Sequence, residues 1–218
     1  MEKKLNICPY MIDLTPNIIL SKPQLGENIG SSARAMKNFG IEKLRLIEPR
    51  DGWPNSSAYA ISAGAGDVLN KINVFKSLEE ATKDISLLFA TTARKRVIGT
   101  KPLDVFEAID KSFHHVVNGG QVGFLFGPEQ SGLSNDDVVQ ADYTISIPLN
   151  QNFSSLNLSQ AVLLICWEWN KVKMSHFKED NLPIKVNKKL KKSTEISNVG
   201  DREYCLLYTS DAADDSLR

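Results

Sequence analysis

The chain has 218 residues, 42% of them hydrophobic and 24% charged, with a formal net charge of zero; that profile suits a soluble globular protein with length for one α/β domain and an extension, and it announces no nucleic-acid partner by charge alone. Cys8, Cys166 and Cys205 lie far apart without a CxxC, and His114, His115 and His176 show no metal-ligand spacing, so neither a disulfide framework nor a metal site is expected and a cytoplasmic setting fits. Met1–Lys4 leads into no long apolar segment, and the longest apolar run, Ala161–Trp167, is too short to cross a bilayer, so no membrane association is expected.

In chain order, Asn17–Leu20 is a short apolar run ending before Ser21-Lys22-Pro23. Asn28–Phe39 carries Ile29, Ala33, Met36 and Phe39 at helical steps, with Asn28 placed as N-cap and Gly40 closing the helix. Lys43–Glu48 reads as a strand stopped by Pro49, Ser57–Ala63 as a short helix and Asn73–Phe75 as a brief strand. Ser77–Lys83 is a helix with Ser77 as cap and Glu80 in the capping-box position. Ile85–Thr91 and Gln121–Phe126 are continuous apolar runs, as expected of strands buried on both faces. Pro102–Phe113 reads as a helix with proline in its first turn, Ser134–Val139 as a helix capped by Ser134, Tyr143–Ile147 as a strand, and Leu156–Lys171 as a long apolar helix capped by Ser154 or Ser155.

This alternation implies an α/β fold: a mainly parallel sheet covered by helices on both faces. Ligands of such sheets sit in loops at the carboxyl ends of strands. The loops to inspect are therefore Ser21–Asn28, Thr92–Lys101, Gly127–Leu133 and Pro148–Asn157. From Lys171 to Lys192 eight lysines face only Glu179 and Asp180, a solvated face or a track for a phosphate backbone. Glu203–Arg218 follows no pattern set earlier and resembles translated adapter sequence, so it is read as a non-native tail. Without it, 25 bases and 22 acids leave the chain mildly basic. The expected organisation is a lead (1–14), a main domain (15–171), a basic and shortened C-terminal extension (172–202) and the tail (203–218).

Three motifs carry chemistry. Gly26-Glu27-Asn28-Ile29-Gly30-Ser31-Ser32-Ala33-Arg34 puts a guanidinium on a helix of small residues, with Gly30 leaving the first turn open to close approach. Phe126-Gly127-Pro128-Glu129-Gln130-Ser131-Gly132-Leu133 runs from a buried strand into a tight turn bearing a carboxylate. It is no P-loop, since no Gly-Lys-Ser/Thr follows, and the chain has no GxGxxG fingerprint. Ile147-Pro148-Leu149 leads through Ser154-Ser155-Leu156-Asn157 into the last helix, setting Asn157 at a helix start. A capped helix, a plain strand–turn–helix connection and a helix entering the core would explain most of these residues one motif at a time, but leave Glu129 and Asn157 without a reason.

In this order and spacing, the three motifs closely resemble the signatures of the SPOUT (α/β-knot) RNA 2'-O-methyltransferases of the SpoU/TrmH branch, over about Thr15 to Trp169. Thr91-Thr92-Ala93-Arg94-Lys95-Arg96 resembles a loop typical of the TrmJ-like enzymes within it, which methylate a ribose 2'-hydroxyl of the tRNA anticodon loop at tRNA position thirty-two. The resemblance implies a C-terminal deep trefoil knot, a homodimer, an RNA substrate and S-adenosyl-L-methionine as methyl donor. It implies a donor site around Thr91, Thr92, Ala93, Gly127, Pro128, Ile147, Leu149, Ser155 and Leu156. It implies a catalytic group of Asn28, Arg34, Glu129, Ser155 and Asn157, with Asn28 and Arg34 reaching toward a site shared with the partner subunit. Arginine hardly deprotonates, so Arg34 is expected to orient the phosphate and hydroxyl and to stabilise developing charge. Arg34, Arg94, Arg96, Lys171 and Lys173 are the expected RNA contacts. Competing readings are a sibling enzyme acting on rRNA or another tRNA site, a catalytically silent RNA-binding module, and, from the α/β pattern alone, a nucleotide-binding oxidoreductase.

Overall fold

Asn17–Ser21 forms strand β1, buried at every position because it lies in the middle of a sheet covered on both faces. A computed structural model of the protein describes residues 13–92, 102–150, 152–153 and 155–178, all within one unit, Met1–Asn181. Besides β1, the sheet holds β2 (Leu44–Ile47), β3 (Asn73–Phe75), β4 (Leu87–Thr91), β5 (Val122–Phe126) and β6 (Tyr143–Ile145). Their order is β3-β2-β1-β5-β4-β6, and every neighbouring pair is parallel. The expected sheet is thus found, and it is wholly parallel among the described strands.

Strand side chains alternate between two cores, as the pleat requires. Ile18, Leu20, Leu46, Phe89, Phe124 and Phe126 face one cluster, shared with α1 (Gly26–Asn38), α2 (Ser56–Ile61), α3 (Gly66–Asn70), α5 (Val105–Val117) and α7 (Leu158–Lys178). Ile19, Ile47, Leu88, Ala90 and Leu125 face the other, covered by α4 (Leu78–Thr82) and α6 (Asn135–Val139). Cys166 is buried in the first core, and desolvation pushes its thiol up to about 12, which keeps it neutral and unreactive. Among the described residues no helix is long and apolar enough to cross a membrane.

Local chemistry sets most helix starts. Ser77 accepts from Glu80 N–H as expected, while the Glu80 carboxylate accepts from Lys76 N–H rather than from the cap residue. Ser134 and Asp137 form a full capping box. Three starts differ from the sequence reading. α1 opens two residues earlier than Asn28, with Leu25 as N-cap and no side-chain cap of its own. α5 begins after Asp104, which caps Glu107 N–H. Pro102 stays outside the helix because Leu103 instead bridges to Ile145 at the sheet edge. α7 begins at Leu158, and Asn157 replaces Ser154 or Ser155 as its cap, accepting from Ser159 N–H at 2.9 Å; the helix then runs past Lys171 to Lys178. α3 had no periodic signal long enough to be read.

Gly30 faces another helix rather than a ligand. A Cβ at this position would lie 2.2 Å from the carbonyl oxygen of Ala58 in α2. Backbone meets backbone there, so neither side can rotate away. Gly30→Ala gains about 1 kcal/mol of helix propensity but meets an overpacking cost near 3 kcal/mol, for a net loss of about 2 kcal/mol expected in urea denaturation. An unchanged midpoint would show that α1 and α2 can part freely.

Candidate active site

The strand order creates the crevice. From β1 the chain crosses to β2 on the first face, while from β5 it crosses toward β6 on the other, so loops leaving these adjacent strands diverge at their carboxyl ends. Glu129, in the loop after β5, reaches across this gap to the entry of α1. Its carboxylate accepts from Gln24 N–H at 2.8 Å, Leu25 N–H at 3.3 Å and Asn28 Nδ2 at 2.7 Å. A carboxylate from the middle of the chain thereby binds the backbone leading into α1, including the N–H of its N-cap residue Leu25, at the end where the helix dipole favours negative charge.

The line continues. Asn157 Nδ2 donates to Asn28 Oδ1 at 3.0 Å, and Asn157 Oδ1 accepts from Ser159 N–H and Oγ–H. Asn28, Glu129 and Asn157, one from each motif, are therefore joined in one hydrogen-bonded chain. Each amide uses its donor and its acceptor in opposite directions, which fixes both orientations. The carboxyl ends of β1 and β2 are strained beside this chain. Lys22 and Glu48, neither a glycine, hold φ of 48° and 42° and pair at 3.3 Å.

A pocket of about 300 Å³ opens beside Glu129, between the loops that follow β4, β5 and β6. Thr91, Thr92, Gly127, Pro128, Ile147, Leu149, Ser155 and Leu156, all expected donor-site residues, line it. Thr91 Oγ donates to Leu125 O at 2.9 Å and pins the end of β4 to β5. Gly127 is required by a turn: a Cβ there would sit 2.3 Å from Leu133 N, where the loop folds back on itself through Gly132 at φ 65°. Among the described lining residues there is a single charged side chain, the acid Glu129. Such a wall suits a cationic or neutral ligand better than a polyanion.

Not every expected residue joins this group. Arg34 is exposed on α1, roughly 9 Å along the axis from Asn28 and about 120° round the helix, and it has no partner among the described residues. Lys171 lies far down α7, roughly 20 Å from its start, and is paired with Glu168 at 2.8 Å; Lys173, two residues further, is half-buried. Ala93, Arg94, Arg96, Ser154 and the lysines after Lys178 lie outside the described residues. Residues not singled out beforehand also belong here. Phe126, Leu158 and Ala161 line the pocket; the last two were legible as a helix start with a small residue one turn in. Arg50 follows β2 at the same end of the sheet. Its bond to Asp51, and further off the charge of Glu129, hold its guanidinium still more firmly protonated than usual. Its signal was a base just past the strand-ending Pro49.

Comparison with known proteins gives consistent matches. Residues 15–167 match the model of the SpoU rRNA Methylase family. A tRNA (cytidine/uridine/adenosine-2'-O-)-methyltransferase TrmJ from Pseudomonas aeruginosa is 34% identical over 178 residues, covering 82% of this chain and 67% of its own length. A tRNA (cytidine/uridine-2'-O-)-methyltransferase TrmJ from Yersinia pestis is 38% identical over 69% of this chain and 58% of its own length. The crystal structure of TrmJ from Z. mobilis superposes with a TM-score of 0.69 at 49% identity, covering 72% of this chain and 69% of that one. The chain spans about three fifths to two thirds of the length of these curated relatives.

Proposed function

This chain belongs to the SpoU rRNA Methylase family, and from that premise we propose that it is an S-adenosyl-L-methionine-dependent tRNA 2'-O-methyltransferase of the TrmJ-like branch, acting on a ribose of the anticodon loop at tRNA position thirty-two. The observation that carries this reading is the hydrogen-bonded chain Asn157–Asn28–Glu129 at the rim of a pocket with one acidic and no basic wall residue among those described. When bound, the donor supplies a methyl group on a positively charged sulfonium, and a pocket whose one charge among the described lining residues is a carboxylate fits a cation. The volume is at the small end of the roughly 300–1,000 Å³ range of ligand sites, as suits a donor held folded. The same features count against the oxidoreductase alternative, whose dinucleotide would seek donors for its phosphates.

The chemistry asked of the protein is placement. A ribose hydroxyl must approach the methyl carbon in line and give up its proton as the new O–C bond forms and the C–S bond breaks. Ser155 and the Asn28–Asn157 amides present fixed polar groups at the rim, and Glu129 sets Asn28. Arg34 supplies a fork of donors for the adjacent phosphate and the oxygen gaining charge. Because Arg34 does not line the pocket of its own chain, this role is assigned to the pocket of a second copy. Leu163, Leu164 and Trp167, an exposed apolar stripe on α7 beside α1, support such a homodimer, and sedimentation equilibrium is expected to give twice the mass of one chain. The trefoil knot, the basic loop at Arg94 and Arg96, backbone contacts by Lys171 and Lys173 and a cytoplasmic setting belong to the same reading.

The test is methyl transfer to unmodified tRNA and, in parallel, to rRNA fragments, with the product located by mass spectrometry. A methylated ribose in the anticodon loop is expected. Modification of rRNA alone would move the assignment to a sibling enzyme, and a methylated base or no transfer to either RNA would overturn it.

A further inference from the structure

At the far end of the molecule from the pocket, two helices bring together three side chains that spacing along the chain does not relate. Asp110 and His114 stand one turn apart on α5, and the helical period sets them on one face. His176 comes from the end of α7, roughly 27 Å along that helix from the pocket. α7 packs on α5 through Phe113 and Trp169, edge to face at 5.6 Å. One ligand-type atom from each of Asp110, His114 and His176 lies within 4.8 Å of the others. The His176 ring stacks on Phe113 at 4.8 Å and 23°, so a core residue only 1% exposed sets its plane. His114 meets it edge-on at 5.2 Å and 88°.

We propose that Asp110, His114 and His176 form a divalent-metal site, and that Zn²⁺ is the ion its donors suit. Two imidazole nitrogens and one carboxylate oxygen form a borderline set, too nitrogen-rich for Mg²⁺ or Ca²⁺ and without the thiolates of a Cu(I) site. Around tetrahedral Zn²⁺, with bonds of about 2.0–2.2 Å, ligand atoms stand roughly 3.3–3.5 Å apart. His114 Nε2 and Asp110 Oδ1 are 3.9 Å apart, so closure asks for a shift on the order of 1 Å. His114 is exposed and free to make it, while His176 is held by its stacking. Lys111, the neighbouring base on α5, is turned to the Tyr143 ring at 5.0 Å and leaves the cluster clear of its charge. Water would complete the fourth position. The ion cross-links the last turns of α7 to α5, where the chain passes into its lysine-rich stretch, and takes no part in methyl transfer.

The test uses the full chain, untagged and stripped with a chelator, titrated with Zn²⁺ against a fluorescent competitor. One saturable Zn²⁺ per chain and a Zn²⁺-dependent rise in melting temperature are expected. His114→Gln and His176→Gln should each weaken binding at least as much as loss of an outer-shell partner does, roughly 10–100-fold, while His115→Gln should not. Should a histidine variant fail to fold, the near-isosteric Asp110→Asn and a zinc-edge absorption spectrum of the unaltered protein, expected to show two imidazoles and no sulfur, decide in its place. No saturable binding, sulfur ligation, or unchanged affinity in the folded His114→Gln/His176→Gln double variant overturns the proposal.

Discussion

Arg34→Ala is expected to lower turnover on unmodified tRNA by about 10²–10³-fold, the usual loss when one donor to a developing oxyanion is removed. Its stability should stay within about 0.5 kcal/mol of the unaltered protein, because the side chain is exposed and supports no packing among the described residues. Affinity for the methyl donor should also hold, since Arg34 does not line the pocket. Arg34→Lys restores charge without the planar fork and should recover only a small part of the rate. Single-turnover kinetics together with donor titration separate these quantities. Turnover within a few-fold of normal for Arg34→Ala would remove Arg34 from the reaction.

Glu129→Ala should behave differently, losing stability and activity together. Three donors converge on this carboxylate, and charge-assisted bonds are worth about 1.5–3 kcal/mol to a fold. Water reaches this half-buried group and takes over part of that, so a loss of about 2 kcal/mol in chemical denaturation is expected. Glu129→Gln keeps the shape but turns an amide toward Gln24 N–H, donor against donor, and should recover little. Donor affinity should fall as well, since the pocket loses its one charge among the described wall residues. Asn28→Ala combined with Glu129→Ala should be non-additive by about 0.5–3 kcal/mol, as expected of residues in one network. Additive effects would mean that the Asn28–Glu129 bond carries no coupling, and undiminished donor binding in Glu129→Ala would separate this residue from the pocket.

The two variants divide the site into a part built within one chain and a part that the proposed function assigns to a second copy. The hydrogen-bonded line through Glu129, Asn28 and Asn157 is internal. Arg34, roughly 120° round α1 from Asn28, is exposed and lies outside that line.

By itself the sequence determined the parallel α/β layout, because buried strands and amphipathic helices leave their periods in the order of apolar residues. It also marked the loops Gly127–Leu133 and Pro148–Asn157, whose residues line the pocket, since Glu129 and Asn157 have no sufficient local reason to be where they are. Capping residues such as Ser77 and Ser134 were legible for the same cause: their bonds close within one turn. What depended on distant partners was not legible. Asn28 looked like an N-cap, yet α1 starts earlier and the Asn28 amide binds Glu129 from another loop. Gly30 looked open to a ligand, yet it admits α2. Pro102 looked like a helix start, yet Leu103 pairs with Ile145. His114 and His176 looked unrelated, yet α5 and α7 set them side by side. Only the tertiary structure decided these, because a hydrogen bond or a ligand set depends on distance in space, and the chain records distance in sequence.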